Sequence, residues 1–188
     1  MHGQDAWGQT GRVSSRVVVL SDTHLPTRAK VLPDMLLAAI GEADVVMHAG
    51  DWVDVATLDL LEARSRRLVG VWGNNDPAPL RDRLPEVART TIEGVRFAMV
   101  HETGAASGRE RRMDALHADD ADVLVFGHSH IPWDTVTPRG LRLLNPGSPT
   151  DRRRQPVGTF LSLDVSGGRL ADVRLVPVPS VAGLSRPV

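Results

Sequence analysis

Short apolar runs, each closed by a polar cluster, set the rhythm of this chain. Arg16 to Leu20 (RVVVL) is β-branched and does not alternate, which predicts a parallel strand buried on both faces; it stops at SDTHLP. Pro33 to Ile40 (PDMLLAAI) predicts a helix with proline in its first turn and Gly41 just past its end. Asp44 to His48 predicts a second strand, stopping at AGD. Val55 to Arg64 follows with apolar residues at Val55, Leu58 and Leu61, a helical spacing. Arg67 to Trp72 predicts a third strand, stopping at GNND. Strand, helix, strand, helix, strand makes two parallel crossovers, which are right-handed almost without exception.

The pattern then changes. Val87 to His101 predicts a hairpin turning at Glu93-Gly94, and Gly108 to Ala118 a charged helix. Asp122 to Phe126 predicts a strand that stops at GHSH. Further strands are predicted at Trp133 to Thr137, Leu141 to Leu144, Gly158 to Val165 and Leu170 to Pro177, the last two joined at Ser166 to Gly168. Two crossovers followed by strand-rich sequence predict an α/β fold: two mixed β-sheets packed face to face, flanked by helices. A single domain is expected over 16–180, with a flexible tail at 1–15 and another at 181–188.

Composition narrows the chemistry. The 188 residues are 41% hydrophobic and 24% charged, an ordinary globular balance. A net charge of −1 gives no general attraction to nucleic acid or to an anionic membrane. The chain has no cysteine, so a metal can be held only by imidazole, carboxylate or amide, ligands that suit manganese, iron, nickel, zinc or magnesium. No apolar run approaches the roughly 20 residues of a membrane helix, and the first residues lack an apolar signal core. The protein is expected to be cytoplasmic, without membrane partners.

The polar clusters carry the function. After the first strand come Asp22 and His24; after the second, Asp51; after the third, Asn74, Asn75 and Asp76; after the hairpin, His101; and after the strand at 122–126, His128 and His130. Ligands of open parallel sheets bind outside the carboxyl ends of the strands, so these residues are expected on one rim. Each one-residue-spaced pair, if extended, points to one side. Any one cluster alone reads as a solvated loop or a turn; their joint placement is what argues for a metal. His48 reads as packed beneath the site, His117 as exposed on its helix, and His2 as part of the tail. Trp52 either walls the site or packs against the next helix.

SDTHLP, HAGD, GNND, VH and GHSH stand in the order of the motifs of the calcineurin-like metallophosphoesterases, and the chain from about Arg16 to about Phe160 resembles their small, single-domain prokaryotic phosphodiesterase branch. LNPGSP (Leu144 to Pro149) is similar to the loop that follows in that branch. The resemblance implies two divalent ions per chain, manganese favoured for activity. It places Asp22, His24 and His130 on the first ion, Asn74, His101 and His128 on the second, and Asp51 between them. Asp76 is expected to orient a neighbour, and Asn145 and Ser148 to line the rim. Many relatives carry histidine where this chain has Asn75, which removes a proton donor for the leaving group. Glu102 is a further departure, expected near the metal pair. Asp151 to Gln155 (DRRRQ) either binds a second phosphate or is a solvated turn.

The activity implied is hydrolysis of a small phosphate ester by a metal-activated hydroxide, first as a phosphodiesterase. A phosphomonoesterase or nucleotide phosphatase on the same site is the alternative. A protein-binding scaffold, as in the retromer subunit that resembles this branch, is the third reading. A homo-oligomer is left open.

Overall fold

The computed structural model describes residues 14–179. The β-branched run forms β1 (Ser14–Leu20), starting two residues earlier than the sequence predicted. The rest of tails 1–15 and 181–188, with His2, lies outside the described residues. Next come α1 (Asp34–Glu42), β2 (Val45–Ala49), α2 (Val55–Arg64) and β3 (Leu68–Val71). Strands β1, β2 and β3 pair in parallel, as two crossovers require. Pro33 caps α1 from outside, and the helix runs through Gly41 to end before Ala43. Gly41 has open space around it and an ordinary φ, so nothing there forces a stop. In α2 the Asp54 carboxylate accepts from the Ala56 N–H, satisfying one of the free donors of the first turn.

A four-residue helix, α3 (Ala78–Arg81), was not predicted, because PAPLR reads as a proline-broken loop. The hairpin is β4 (Val87–Ile92) and β5 (Val95–Val100), turning where expected. Then follow α4 (Arg109–His117), β6 (Val123–Val125), β7 (Trp133–Val136), β8 (Arg142–Asn145), β9 (Gly158–Ser166) and β10 (Arg169–Val178).

Two five-stranded mixed sheets result, ordered β10-β9-β1-β2-β3 and β4-β5-β6-β8-β7. Strand alternation divides the apolar residues between layers. Val17 and Val19 point between the sheets, where they meet Met47, Phe97, Met99, Val125 and Leu144. Val18 and Leu20 point outward, under Leu36 and Ile40 of α1 and Leu58 and Leu61 of α2. Ala98, Leu124 and Phe126 do the same on the far side, under Met113 of α4. Helix–sheet–sheet–helix layering explains why Val17 to Leu20, Val45 to Met47 and β6 are continuous apolar runs rather than alternating. His117, expected to be exposed, is buried at 8% exposure: it lies on the inward stripe of α4 with Met113, and that burial lowers its pKa.

Candidate metal centre

The parallel strands of the two sheets bring their carboxyl ends to one rim, and hydrogen bonds join the loops there. The Asp22 N–H donates to the Gly50 carbonyl (2.9 Å), the Gly127 N–H to the His101 carbonyl (3.0 Å), and the His128 N–H to the Asp22 carboxylate (3.0 and 3.1 Å). The loops pack tightly enough to exclude a Cβ. One on Gly127 would sit 2.8 Å from the Ala49 carbonyl oxygen; one on Gly50, whose φ is +88°, would sit 2.6 Å from the His101 ring.

All seven residues expected to bind metal meet at this rim. Ligand atoms of Asp22, His24 and His130 lie within 4.8 Å of one another, as do those of Asp22, Asp51 and His101. The Asn74 amide oxygen lies 3.0 Å from His101 Nε2 and 2.9 Å from His128 Nδ1. Asp51 faces both groups: its Oδ2 is 3.4 Å from His24 Nε2, and its Oδ1 is 3.4 Å from His101 Nε2. Glu102, on the exposed side, brings a carboxylate oxygen to 3.9 Å from His128 Nδ1.

The geometry of the paired residues differs from the sequence expectation. Asp22, His24, His128 and His130 are not extended; all four have positive φ, between 45° and 68°, as does Asp51 at 61°. Left-handed backbone costs non-glycine residues of order 1–3 kcal/mol each. It turns each chain sharply at the strand end. His128 consequently faces Asn74, while His130 faces Asp22.

Two backbone carbonyls set the imidazoles. His101 Nδ1–H donates to the Ala49 carbonyl (2.7 Å) and His130 Nδ1–H to the Asp151 carbonyl (2.5 Å). Each Nε2 is thereby turned inward, His130 Nε2 lying 3.3 Å from Asp22 Oδ1. This is how metal-binding histidines are commonly oriented. Residue types could not have shown it, because the partners are main-chain oxygens.

The buried Nε2 atoms of His24 and His130 have no hydrogen-bond partner among the described residues. Electron pairs on nitrogen therefore face carboxylate oxygens, an arrangement that a cation or a proton between them resolves. Four imidazoles, two carboxylates and an amide oxygen fit a divalent cation of intermediate hardness.

Without a cation, protons do that work at His101 and His130 but not at His24. Burial pushes His101 down, but its contact with Asp51 and the charges of Asp22 and Asp51 outweigh this and lift its pKa to about 9. Burial pushes Asp51 up, yet the hydrogen bond and charge of His101 and two hydrogen bonds from Asn75 hold it well below the usual carboxylate range. His130 is raised by Asp22 against the effect of burial. In His24 burial prevails, and its pKa is lowered despite Asp51 and Asp22.

The neighbouring residues divide their tasks. Asp76 is 2% exposed and turned away from the cluster, accepting from the N–H groups of Gly73 (2.7 Å), Val53 (2.7 Å) and Asp51 (3.1 Å); burial raises its pKa. Asn75 donates to Asp51 twice, from its backbone (2.9 Å) and its side-chain amide (2.7 Å). His48 is fully buried against Thr23 (3.1 Å) and stacked on Trp52 at 3.6 Å, and burial together with nearby His101 pushes its pKa well down. Trp52 is itself buried and donates to the Val71 carbonyl, so it packs and does not wall the site.

Asn145 and Ser148 lie beneath the rim rather than on it. Asn145 donates to the Gly127 carbonyl (2.8 Å), and Ser148 to the Asp22 carbonyl (2.7 Å). The 151–155 segment is an exposed turn apart from its half-buried ends; Asp151 contributes its carbonyl to His130.

Comparisons with known proteins place the chain in a family. Residues 16–168 match the model of the calcineurin-like phosphoesterase superfamily domain. The chain is 32% identical over 162 residues to a protein of Methanocaldococcus jannaschii named "Probable metallophosphoesterase", covering 85% of this chain and 80% of that one. A protein of the same name from Methanothermobacter thermautotrophicus is 35% identical over 153 residues, covering 78% and 84%. A Thermotoga maritima protein solved by solution NMR superposes with a TM-score of 0.69 at 36% identity, covering 87% of this chain and 99% of that one. Vps29 of Chaetomium thermophilum shares the fold, with a TM-score of 0.72 at 24% identity, covering 88% and 100%.

Proposed function

Since the chain belongs to the calcineurin-like phosphoesterase superfamily, we propose that it is a phosphodiesterase working with two divalent ions, manganese favoured. What carries this reading is the two-sided cluster at the rim. Asp22, His24 and His130 form one side; Asn74, His101 and His128 form the other; Asp51 turns one oxygen to each. Two ions held there would clamp a phosphate ester and make water a nucleophile at neutral pH.

The residues explain the rest. Asp22 and Asp51 are the two carboxylates of the set, so two dications leave the site with surplus positive charge, which attracts a phosphate anion. The Ala49 and Asp151 carbonyls keep His101 and His130 aimed inward. Asn75 holds Asp51 and, as an amide, has no proton to give a departing alkoxide. In the net reaction, water supplies a hydroxyl to phosphorus, the ester P–O bond breaks, and the remaining proton ends on the leaving alcohol. A small phosphate ester is the substrate class.

The test is hydrolysis of bis-(p-nitrophenyl) phosphate by chelator-stripped protein with and without Mn²⁺, beside the matching monoester. Mn²⁺-dependent turnover favouring the diester supports the proposal. Preference for the monoester would convert it to a phosphatase. Folded, metal-loaded protein that turns over neither ester would favour the scaffold reading or an enzyme selective for another ester.

A further inference from the structure

One cavity opens on the outer side of the cluster. It measures about 300 Å³ and is lined by Trp72, Asn74, Glu86, Val87, Val100, His101 and Glu102. Two of these, Asn74 and His101, belong to the metal centre, so a phosphate held there would place one of its ester groups at the cavity mouth. The remaining walls are of two kinds: Trp72, Val87 and Val100 offer an aromatic and two aliphatic surfaces, and Glu86 and Glu102 offer carboxylates.

Trp72 is fixed in place. The Arg81 guanidinium lies 4.7 Å from its ring centroid, and Arg81 is in turn held by the carbonyls of Asp76 (2.7 Å) and Asn74 (3.1 Å). Arg81 covers one face of the ring and does not line the cavity, while Trp72 does, which leaves the other face or the ring edge for a ligand. A braced ring of this kind suits a flat partner.

The polar groups restrict that partner further. Ionised carboxylates only accept hydrogen bonds, so a ligand must bring N–H or O–H donors. Two negative charges also repel a second phosphate group. A flat ring with several donors and no charge has the chemistry of a nucleobase. Among the common bases, guanine presents adjacent N1–H and N2–H donors on one edge, which a carboxylate can accept as a fork.

We propose that this cavity is the base subsite of a nucleoside phosphate ester, with guanine favoured, Trp72 stacking on the base and Glu86 and Glu102 accepting from its edge. The proposal rests on the phosphoesterase reading for its phosphate end, and it makes Trp72 and Glu86 specificity-determining residues.

Calorimetric titration of Mn²⁺-loaded protein tests it without requiring turnover. The probes are guanosine 5′-monophosphate, inosine 5′-monophosphate, which lacks the N2 amine, and ribose 5-phosphate, which lacks the base. The expected order of affinity is guanosine, inosine, ribose, with about tenfold or more between the first and last. Glu86→Ala should shrink the guanosine–inosine difference, and Trp72→Ala should bring both nucleotides toward the ribose value. Glu86 is exposed, so its variant keeps the test available if Trp72→Ala does not fold. Equal affinity for all three probes, or discrimination unchanged in Glu86→Ala, overturns the subsite. Base discrimination in a protein that hydrolyses neither nitrophenyl ester would leave the subsite standing, and failure to hydrolyse a guanosine phosphodiester as well would then overturn the enzyme reading.

Discussion

Asp76 and Asn75 show how much a single side chain beside the cluster controls. Among the described residues, Asp76 is the only side-chain acceptor for three N–H groups, those of Gly73, Asp51 and Val53. Asp76→Ala leaves these donors without it, at about 1–3 kcal/mol for each one that stays buried and unsatisfied. Urea unfolding of the metal-free variant should show a loss of at least that order. Metal affinity should fall roughly 10–100-fold, as when a ligand's support is removed. Asn75 tests the chemistry instead. Without a proton donor at this position, the rate should depend steeply on leaving-group pKa, with aryl esters fast and alkyl esters slow. Asn75→His should flatten that dependence, although it also removes the amide bond to Asp51. An unchanged slope across a series of esters would count against the idea. His101 supplies the pH dependence. Its pKa is raised from 6.5 to about 9, so in metal-free protein it is protonated at pH 7. Its stabilising contribution is full below about pH 6.5 and is lost as pH rises through about 9. Metal must displace that proton, so uptake at pH 7 should release about one proton or more per chain, and affinity should climb toward pH 9. Calorimetry in buffers of different ionisation enthalpy reads the release directly.

At the scale of elements, legibility followed burial. Strands covered on both faces, such as β1 and β2, are visible as apolar runs, and the hairpin is visible from Glu93-Gly94. The one-turn α3 is too short for periodicity and contains Pro79, so it gave no signal. His117 is not where the sequence puts it because its helix looks charged throughout, while its buried positions Arg109, Met113, Asp114 and His117 share one stripe. Arg109 hides there by stacking over Phe126 (4.8 Å) and Trp133 (4.7 Å). Residue types pointed to the candidate centre, since each cluster follows a strand. The left-handed loop geometry was not legible, because Asp and His accept positive φ more readily than most residues but adopt ordinary backbone far more often, and Val disfavours it. Val53 is the sharpest case: a β-branched residue at φ +76° in the loop after β2. Val53→Gly should relieve that strain and raise stability by roughly 1 kcal/mol, measured by urea unfolding of the metal-free protein. A loss of stability would mean that the Val53 side chain contributes more packing than its backbone costs.

Across the whole molecule, the centre draws on both sheets. Asp22, His24, Asp51 and Asn74 follow strands of one sheet; His101, His128 and His130 follow strands of the other. Bound cations would therefore act as rivets between layers otherwise held by the apolar contacts of Val19, Met47, Phe97 and Val125. Ligand present at a hundredfold its dissociation constant adds about 2.7 kcal/mol. Chelation should then lower the thermal midpoint by roughly 5–10 °C for a chain of this size. A midpoint indifferent to chelator would mean that the rim is rigid without metal. The order of the ligands along the chain also bears on biosynthesis. His130 is the last of them, and the carbonyl that aims it belongs to Asp151. During translation, the first four expected ligands, Asp22 to Asn74, emerge before His128, His130 and Asp151 are made. A cation that arrived then would meet four of its seven expected ligands, so any ion held by the finished centre would be chosen only after His130 and Asp151 had been made.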